Sequence, residues 1–343
     1  MKNKYDVVIV GAGPAGLRCA EVLAVAGKDV LVLEKNKVVG PKVCAGGLTL
    51  KDLDLGIPER LIQRKFKKVF VHSSLQTSEV KSDKPFIATI LRKDLGQWML
   101  KKARKAGVEI KTNSEVSRIS KKFVVVNNKE IHFDYLIGAD GSNSIVREFL
   151  GVKTEKVGQC FQYLFKGKFK DLEIFSDFNK FGHYVWIFPY KNYVSVGTGR
   201  DLSRDYNLGL SVSQIRDNFD KWCGERFGIK KSKFEAAIVN YDYRGFDFGN
   251  IFLVGDAAGF ASGLTAEGIY AAIKSGEDVA KKIINPNYNC ENINKILKIK
   301  KTEDDILKSL ESNRLIGEIE SEIANFLVKI RFIDNAVVKE LFQ

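Results

Sequence analysis

Residues 5–10 of the chain, Tyr-Asp-Val-Val-Ile-Val, are apolar at nearly every position. A short run of this kind, closed by glycines, predicts a strand buried on both faces, as in a parallel sheet. Gly11-Ala12-Gly13-Pro14-Ala15-Gly16 follows. An Ala/Leu/Val-rich stretch then predicts a helix, and a second apolar run predicts a strand that ends at Glu34. The sequence of strand, turn and helix recurs twice. At 135–151 the strand ends in Asp140-Gly141 and a short helix follows; at 250–276 it ends in Gly255-Asp256, and a glycine-broken loop leads into a helix. Within "ILRKDLGQWMLKKARKAGVEI", Arg92 heads an amphipathic helix with Leu95, Trp98, Met99 and Ala103 on one face.

The period changes over residues 151–245. "FQYLFKGKF", "HYVWIFPY" and "NYVSVGTG" alternate and read as antiparallel strands, with a helix near "SVSQIRDNFDKWCGERFG". The segment "RKFKKVFVHSS" (64–74) is expected to join this sheet from between the nucleotide-type units. The last stretch, from residue 291 to 343, reads as amphipathic helices that pack on the rest of the chain or touch a lipid surface.

Composition narrows the class. A chain of 343 residues with 45% hydrophobic content is globular and divides into two or more units. Its formal net charge of +13 favours anionic partners such as nucleotides, phospholipid surfaces or nucleic acid. Yet the lysines recur as scattered pairs (67–68, 101–102, 121–122) without a long basic block, and no basic-aromatic RNA module is visible. The charge is read as diffuse, and nucleic acid as no partner. Five cysteines without C-x-x-C spacing argue for a reducing compartment and against a disulfide framework or a metal site. The two lysines ahead of an apolar run imitate a signal peptide, but the run enters a glycine turn and reads as a strand. Ile251 to Ile273 imitates a membrane span, yet carries Asp256, Glu267 and four glycines. The expectation is a soluble, cytoplasmic chain, with peripheral contact to an anionic membrane left open.

The opening motif has a chemistry. Gly11 permits a tight turn, Gly13 lets the backbone approach a pyrophosphate, and Gly16 lets helix and strand pack closely. The helix start offers N–H groups to phosphates, and Glu34 can accept hydrogen bonds from ribose hydroxyls. Asp256 follows a buried strand, where an unpaired carboxylate would be costly and ligand hydroxyls would satisfy it. The N–H groups at Gly268 and Ile269 begin a helix and can stabilise negative charge.

Taken together, these stretches resemble the FAD-dependent oxidoreductases of the para-hydroxybenzoate hydroxylase type. The resemblance implies an α/β fold: a Rossmann-like FAD-binding domain with an inserted antiparallel-sheet substrate domain and a C-terminal helical tail. The expected boundaries are 1–63, 75–150 and 246–290 for the FAD domain, 64–74 and 151–245 for the substrate sheet, and 291–343 for the tail. It also implies FAD contacts at Gly11, Gly13, Ala15, Gly16, Glu34, Arg92, Val116, Asp256, Gly268 and Ile269. No second nucleotide fingerprint is present. The electron donor is therefore NAD(P)H bound transiently, or another carrier such as a ferredoxin-like protein.

Two further stretches, "GPKVCAGGLT" (40–49) and "YVWIFP" (184–189), are similar to those of the geranylgeranyl reductase family. Its members saturate isolated double bonds of isoprenoid chains, and carry a Cys-x-x-Gly turn beside the flavin and a Tyr-x-Trp-x-Phe-Pro strand over the substrate. The resemblance adds Cys44, Ala45 and Gly47 to the cofactor contacts and assigns Tyr184, Trp186 and Phe188 to a substrate wall. Cys44, Tyr184 and His183 are the candidate catalytic acids for hydride transfer from reduced flavin to an alkene. Each assignment has a plain alternative. Alternating aromatics also pack sheet cores, and a cysteine in a glycine turn is also a small buried hydrophobe. His72, His132 and the other four cysteines are read as structural. The competing activity is an FAD monooxygenase or halogenase of the same fold acting on an aromatic or apolar small molecule.

Overall fold

The computed structural model describes residues 1–181, 184–202, 210–228, 232–312 and 322. The chain divides into two compact units, one of residues 1–42, 92–157 and 238–303, the other of residues 43–91, 158–237 and 304–343.

In the first unit, five parallel strands lie in the order Glu109–Lys111, Val30–Leu33, Lys4–Val10, Lys129–Gly138, Ile251–Leu253. Val7 to Val10 are almost wholly excluded from solvent, as a continuous apolar run requires. The long strand Lys129–Gly138 has two roles. Its first half pairs antiparallel with Phe123–Val126, which pairs in turn with Val116–Ile119; its second half joins the parallel set. The helices Pro14–Val25, Arg92–Lys105 and Ile269–Ile284 pack together, and Gly276 brings the last of them against the backbone of Ala15. The Arg92–Lys105 helix buries Leu95, Met99 and Ala103 as expected, together with Leu100. Trp98 is only half-buried, with Lys102 Nζ 5.0 Å from its ring centre. The first part of the helix Glu291–Ser312 also belongs here, and the buried Asp278 carboxylate accepts the backbone N–H of Ile293 near its start.

The second unit holds a seven-stranded sheet in the order Lys233–Asn240, Val157–Lys166, Tyr193–Asp201, Tyr184–Pro189, Glu173–Ser176, Lys68–His72, Thr77–Lys81. Neighbouring strands with a resolved register run antiparallel, except Glu173–Ser176 beside Lys68–His72, which are parallel. One face of the sheet is covered by the helix Val212–Phe227. Ile215, Phe219 and Cys223 pack there on Phe161, Tyr163, Phe165, Val185 and Ile187. A three-stranded antiparallel sheet of Gly47–Thr49, Ile87–Ile90 and Ile62–Phe66 completes this unit.

This division differs from the expected one at several boundaries: residues 151–157 and 238–245, expected in the substrate sheet, and 291–303, expected in the tail, belong to the first unit. Residues 43–63 and 75–91, assigned to the FAD domain from the sequence, belong to the second unit. Their strands pair with one another, and Phe66, Phe86 and Ile87 share a core with Val69, Val80 and Leu172. Among the described residues no helix is long and apolar enough to cross a membrane, and no group of three or more metal-binding side chains occurs. Most of the expected helical tail beyond residue 312 lies outside the described residues.

Candidate active site

The parallel strands of the first unit bring the predicted cofactor residues to their C-terminal ends, where ligands of open α/β sheets bind. Gly11 takes φ +102°, and a Cβ there would lie 2.3 Å from the carbonyl oxygen of Ala139. A Cβ on Gly16 would meet the Gly11 oxygen at 2.2 Å. The helix Pro14–Val25 starts at Gly13 with no side-chain cap and no acidic residue in its first turn. Its first N–H groups are thus left for an anion. Glu34 is buried; its Oε2 accepts Ala12 N–H at 2.9 Å, and its Oε1 accepts both the backbone and side-chain N–H of Asn36. Ser114 N–H donates to the Glu34 carbonyl, which brings the start of the Val116–Ile119 strand to the same place.

Asp256 sits in the turn after Ile251–Leu253, and Gly255 beside it rests on Ala15. The sequence led to an Asp256 carboxylate waiting for ribityl hydroxyls. The structure corrects this in part, because Lys42 Nζ lies 2.6 Å from Oδ2. Gly268 caps the helix Ile269–Ile284 without a side-chain hydrogen bond. Arg92 presents a buried Nε with no hydrogen-bond partner among the described residues. These features fit FAD. The close-packed glycines and two uncapped helix starts suit a pyrophosphate, and the unpartnered guanidinium nitrogen suits an anionic or hydroxyl ligand.

Asp140 has a different role from the other acids. Burial pushes its carboxyl up, and Ser144 Oγ–H and the N–H groups of Ile145 and Val146 oppose that shift by donating to it. It shapes the turn into the Ile145–Phe149 helix, which carries Arg147 into the interior. That guanidinium, 2% exposed, donates to the carbonyls of Ala257, Lys153 and Asp242.

In the second unit, strand alternation sends Tyr184, Trp186 and Phe188 to the face opposite the Val212–Phe227 helix. Trp186 lies against Gly197, where a Cβ would meet its ring at 2.2 Å. Its Nε1–H donates to Ser195 Oγ at 3.0 Å, Ser195 donates to Gln162 Oε1, and Gln162 Nε2 donates to Glu235. Trp186 is only 6% exposed, whereas Tyr184 and Phe188 are half-buried. Replacing Trp186 by alanine is therefore expected to lower stability by about 3–5 kcal/mol, with FAD content retained. Urea unfolding alongside the 450 nm absorbance checks both halves of that expectation.

The Cys44–Gly47 turn is held in this unit by Tyr190, whose hydroxyl reaches the carbonyls of Ala45 at 2.7 Å and Ile90 at 3.3 Å. Gly46 N–H donates to Cys44 Sγ at 3.3 Å, and Phe188 packs on Gly47. Cys160, read as structural, lies on the same sheet face as Trp186, with its Sγ against Gly199. Burial pushes its thiol up to about 12, and nearby Cys44 adds to the shift. His72 stacks on Phe175 and contacts Glu173, and His132 packs beside Phe123, so both are sheet residues as expected. His183 lies outside the described residues.

A family model described as "FAD binding domain" matches residues 4–289. The chain is 31% identical over 314 residues to digeranylgeranylglycerophospholipid reductase 2 of Methanosphaera stadtmanae, spanning 79% of this chain and 75% of that one. It belongs to the geranylgeranyl reductase family of FAD-binding proteins. Among solved structures, a geranylgeranyl bacteriochlorophyll reductase-like protein of Thermoplasma acidophilum superposes with a TM-score of 0.71 over 99% of this chain and 91% of its own, at 19% identity. A flavin-dependent brominase, also 19% identical, superposes at 0.67 over 98% of both chains. These likenesses establish the fold: the α/β flavoprotein architecture expected from the sequence is the one observed. FAD is the cofactor of this family member, and the chain is an FAD-dependent oxidoreductase. Sequence reading passed over Lys42, Arg147 and the Gln162–Ser195 pair. Only Lys42 carried a signal, two residues ahead of Cys44.

Proposed function

We propose that this family member saturates isolated carbon–carbon double bonds of isoprenoid chains in lipids or prenyl compounds. The observation that carries the reading is the aromatic face of Tyr184, Trp186 and Phe188, on which the Cys44–Gly47 turn packs through Gly47. An isoprenoid offers no polar handle along its length, so recognition rests on apolar area and exclusion of water. The names of the relatives support the same substrate class. FAD, when bound and reduced, supplies the hydride.

The chain's own residues bind the cofactor, line the apolar wall and hold the proton that the second alkene carbon requires. Gly11, Gly13, Ala15, Gly16, Glu34, Arg92, Val116, Asp256, Gly268 and Ile269 would hold FAD, and Cys44, Ala45 and Gly47 are further cofactor contacts that the family resemblance implies. Cys44 Sγ is the favoured proton donor, because it sits in the glycine turn that packs on Phe188 through Gly47 and is oriented there by the Gly46 N–H at 3.3 Å. Tyr184 and His183 are the other candidates. Replacing Cys44 by serine is expected to leave FAD content unchanged and slow saturation by about 10²-fold or more. Equal turnover and an equal product pattern would return Cys44 to a packing role.

The brominase likeness favours a second reading, oxygen-dependent chemistry on an aromatic or apolar small molecule. Dithionite-reduced holoenzyme, freed of excess reductant and mixed anaerobically with geranylgeranyl compounds, separates the two. Return of the 450 nm flavin band without oxygen is the expected result. No return under those conditions, with dioxygen uptake matched to oxidation of an aromatic substrate, would favour the second reading.

A further inference from the structure

Asp256 has two carboxylate oxygens, and the structure uses them differently. Oδ2 meets Lys42 Nζ at 2.6 Å and Ser142 Oγ at 3.5 Å. Oδ1 lies 3.3 Å from the point where a Cβ on Gly268 would sit, at the uncapped start of the Ile269–Ile284 helix. The Asp256 side chain is mostly buried at 12% exposure, while Lys42 is 41% exposed. Asn240 Nδ2 holds the backbone carbonyl of Asp256 at 2.8 Å, which fixes the turn beneath the carboxylate.

We propose that Lys42 is a positioning and electrostatic residue of the flavin site. It holds Asp256 by Oδ2, so that Oδ1 stays available for a hydroxyl of the ribityl chain. It also cancels a buried negative charge beside a cofactor that becomes more negative on reduction. Without Lys42 the pair changes from neutral to a bare carboxylate. That carboxylate repels the pyrophosphate and, more strongly, the reduced cofactor. Charge near the ring is one of the levers by which a protein tunes a flavin. The assignment depends on FAD and not on the isoprenoid substrate, so either can fail without the other.

The test compares Lys42→Gln, Lys42→Met and Lys42→Arg holoenzymes by reductive titration against a reference dye, with apo-protein titrated by FAD in parallel. In the two neutral variants the reduction equilibrium is expected to shift about tenfold toward oxidised flavin. For a two-electron couple this is a fall of about 30 mV. FAD Kd should weaken by about tenfold, and the arginine variant should stay within about twofold of the parent in both. A merely structural role would change melting temperature or Kd without moving the potential. A shift below twofold in both neutral variants, or an arginine variant that shifts as far as the glutamine one, overturns the proposal.

Discussion

Replacing Gly11 by alanine is expected to yield protein without flavin. Two effects combine at this position and can be separated. A non-glycine residue at positive φ costs about 1–2 kcal/mol by itself. Gly27 isolates that term: it has φ +82° and nothing within 4 Å of its would-be Cβ. Gly27→Ala should therefore lose about 1–2 kcal/mol and keep its FAD. At Gly11 the new methyl would stand 2.3 Å from a backbone oxygen of the Lys129–Gly138 strand's exit, at Ala139. Backbone cannot rotate away as a side chain does, so the turn must open and the pyrophosphate cradle goes with it. The ratio of 450 nm to 280 nm absorbance after reconstitution reads the cofactor, and thermal melting of the apo-proteins reads the strain. Stoichiometric FAD in Gly11→Ala would contradict the assignment of the turn.

The second large effect is at Arg147. Methionine there preserves bulk but leaves the carbonyls of Ala257, Lys153 and Asp242 without their donor. It also leaves the Asp242 carboxylate, 3.8 Å from the guanidinium, with Arg244 as its remaining cation. Removing one partner of a buried charged network costs about 3–5 kcal/mol. Lysine should recover little, since three carbonyls in fixed directions need the planar fork of arginine. Ala257 follows Asp256, so FAD affinity should fall with stability. Urea unfolding of apo-protein is the measurement, and a loss below about 1 kcal/mol would show that water replaces the guanidinium.

The parts legible in the sequence were those written in local pattern. The strand before Gly11, the acid ending at Glu34 and the two later strand–turn–helix units are each encoded within about thirty residues, the length of one βαβ unit. The parts that escaped depend on residues far apart in the chain. Lys42 and Asp256 are 214 positions apart, and Arg147 and Asp242 are 95. Nothing local marks Arg147, in a five-residue helix, as buried. The strands Gly47–Thr49 and Ile87–Ile90, and the first two residues of Ile62–Phe66, were placed in the other unit for the same reason. They are short, and what places them is their pairing with each other across gaps longer than any turn. Trp186 was legible as an inward residue by alternation. Its hydrogen bond to Ser195 was not, since the partner lies on the neighbouring strand.

On the proposed function, reduced enzyme adds one hydride and one proton across an isolated isoprenoid double bond. The most direct measurement incubates reduced holoenzyme anaerobically, in deuterated buffer, with a geranylgeranyl-bearing lipid, followed by mass spectrometry of the extracted product. The expected product gains two hydrogen isotopes per bond saturated, in steps of one double bond, with none formed when the flavin is left oxidised. Unchanged lipid under reducing, oxygen-free conditions, with product appearing only when dioxygen is admitted and bearing an added oxygen or halogen, would contradict it.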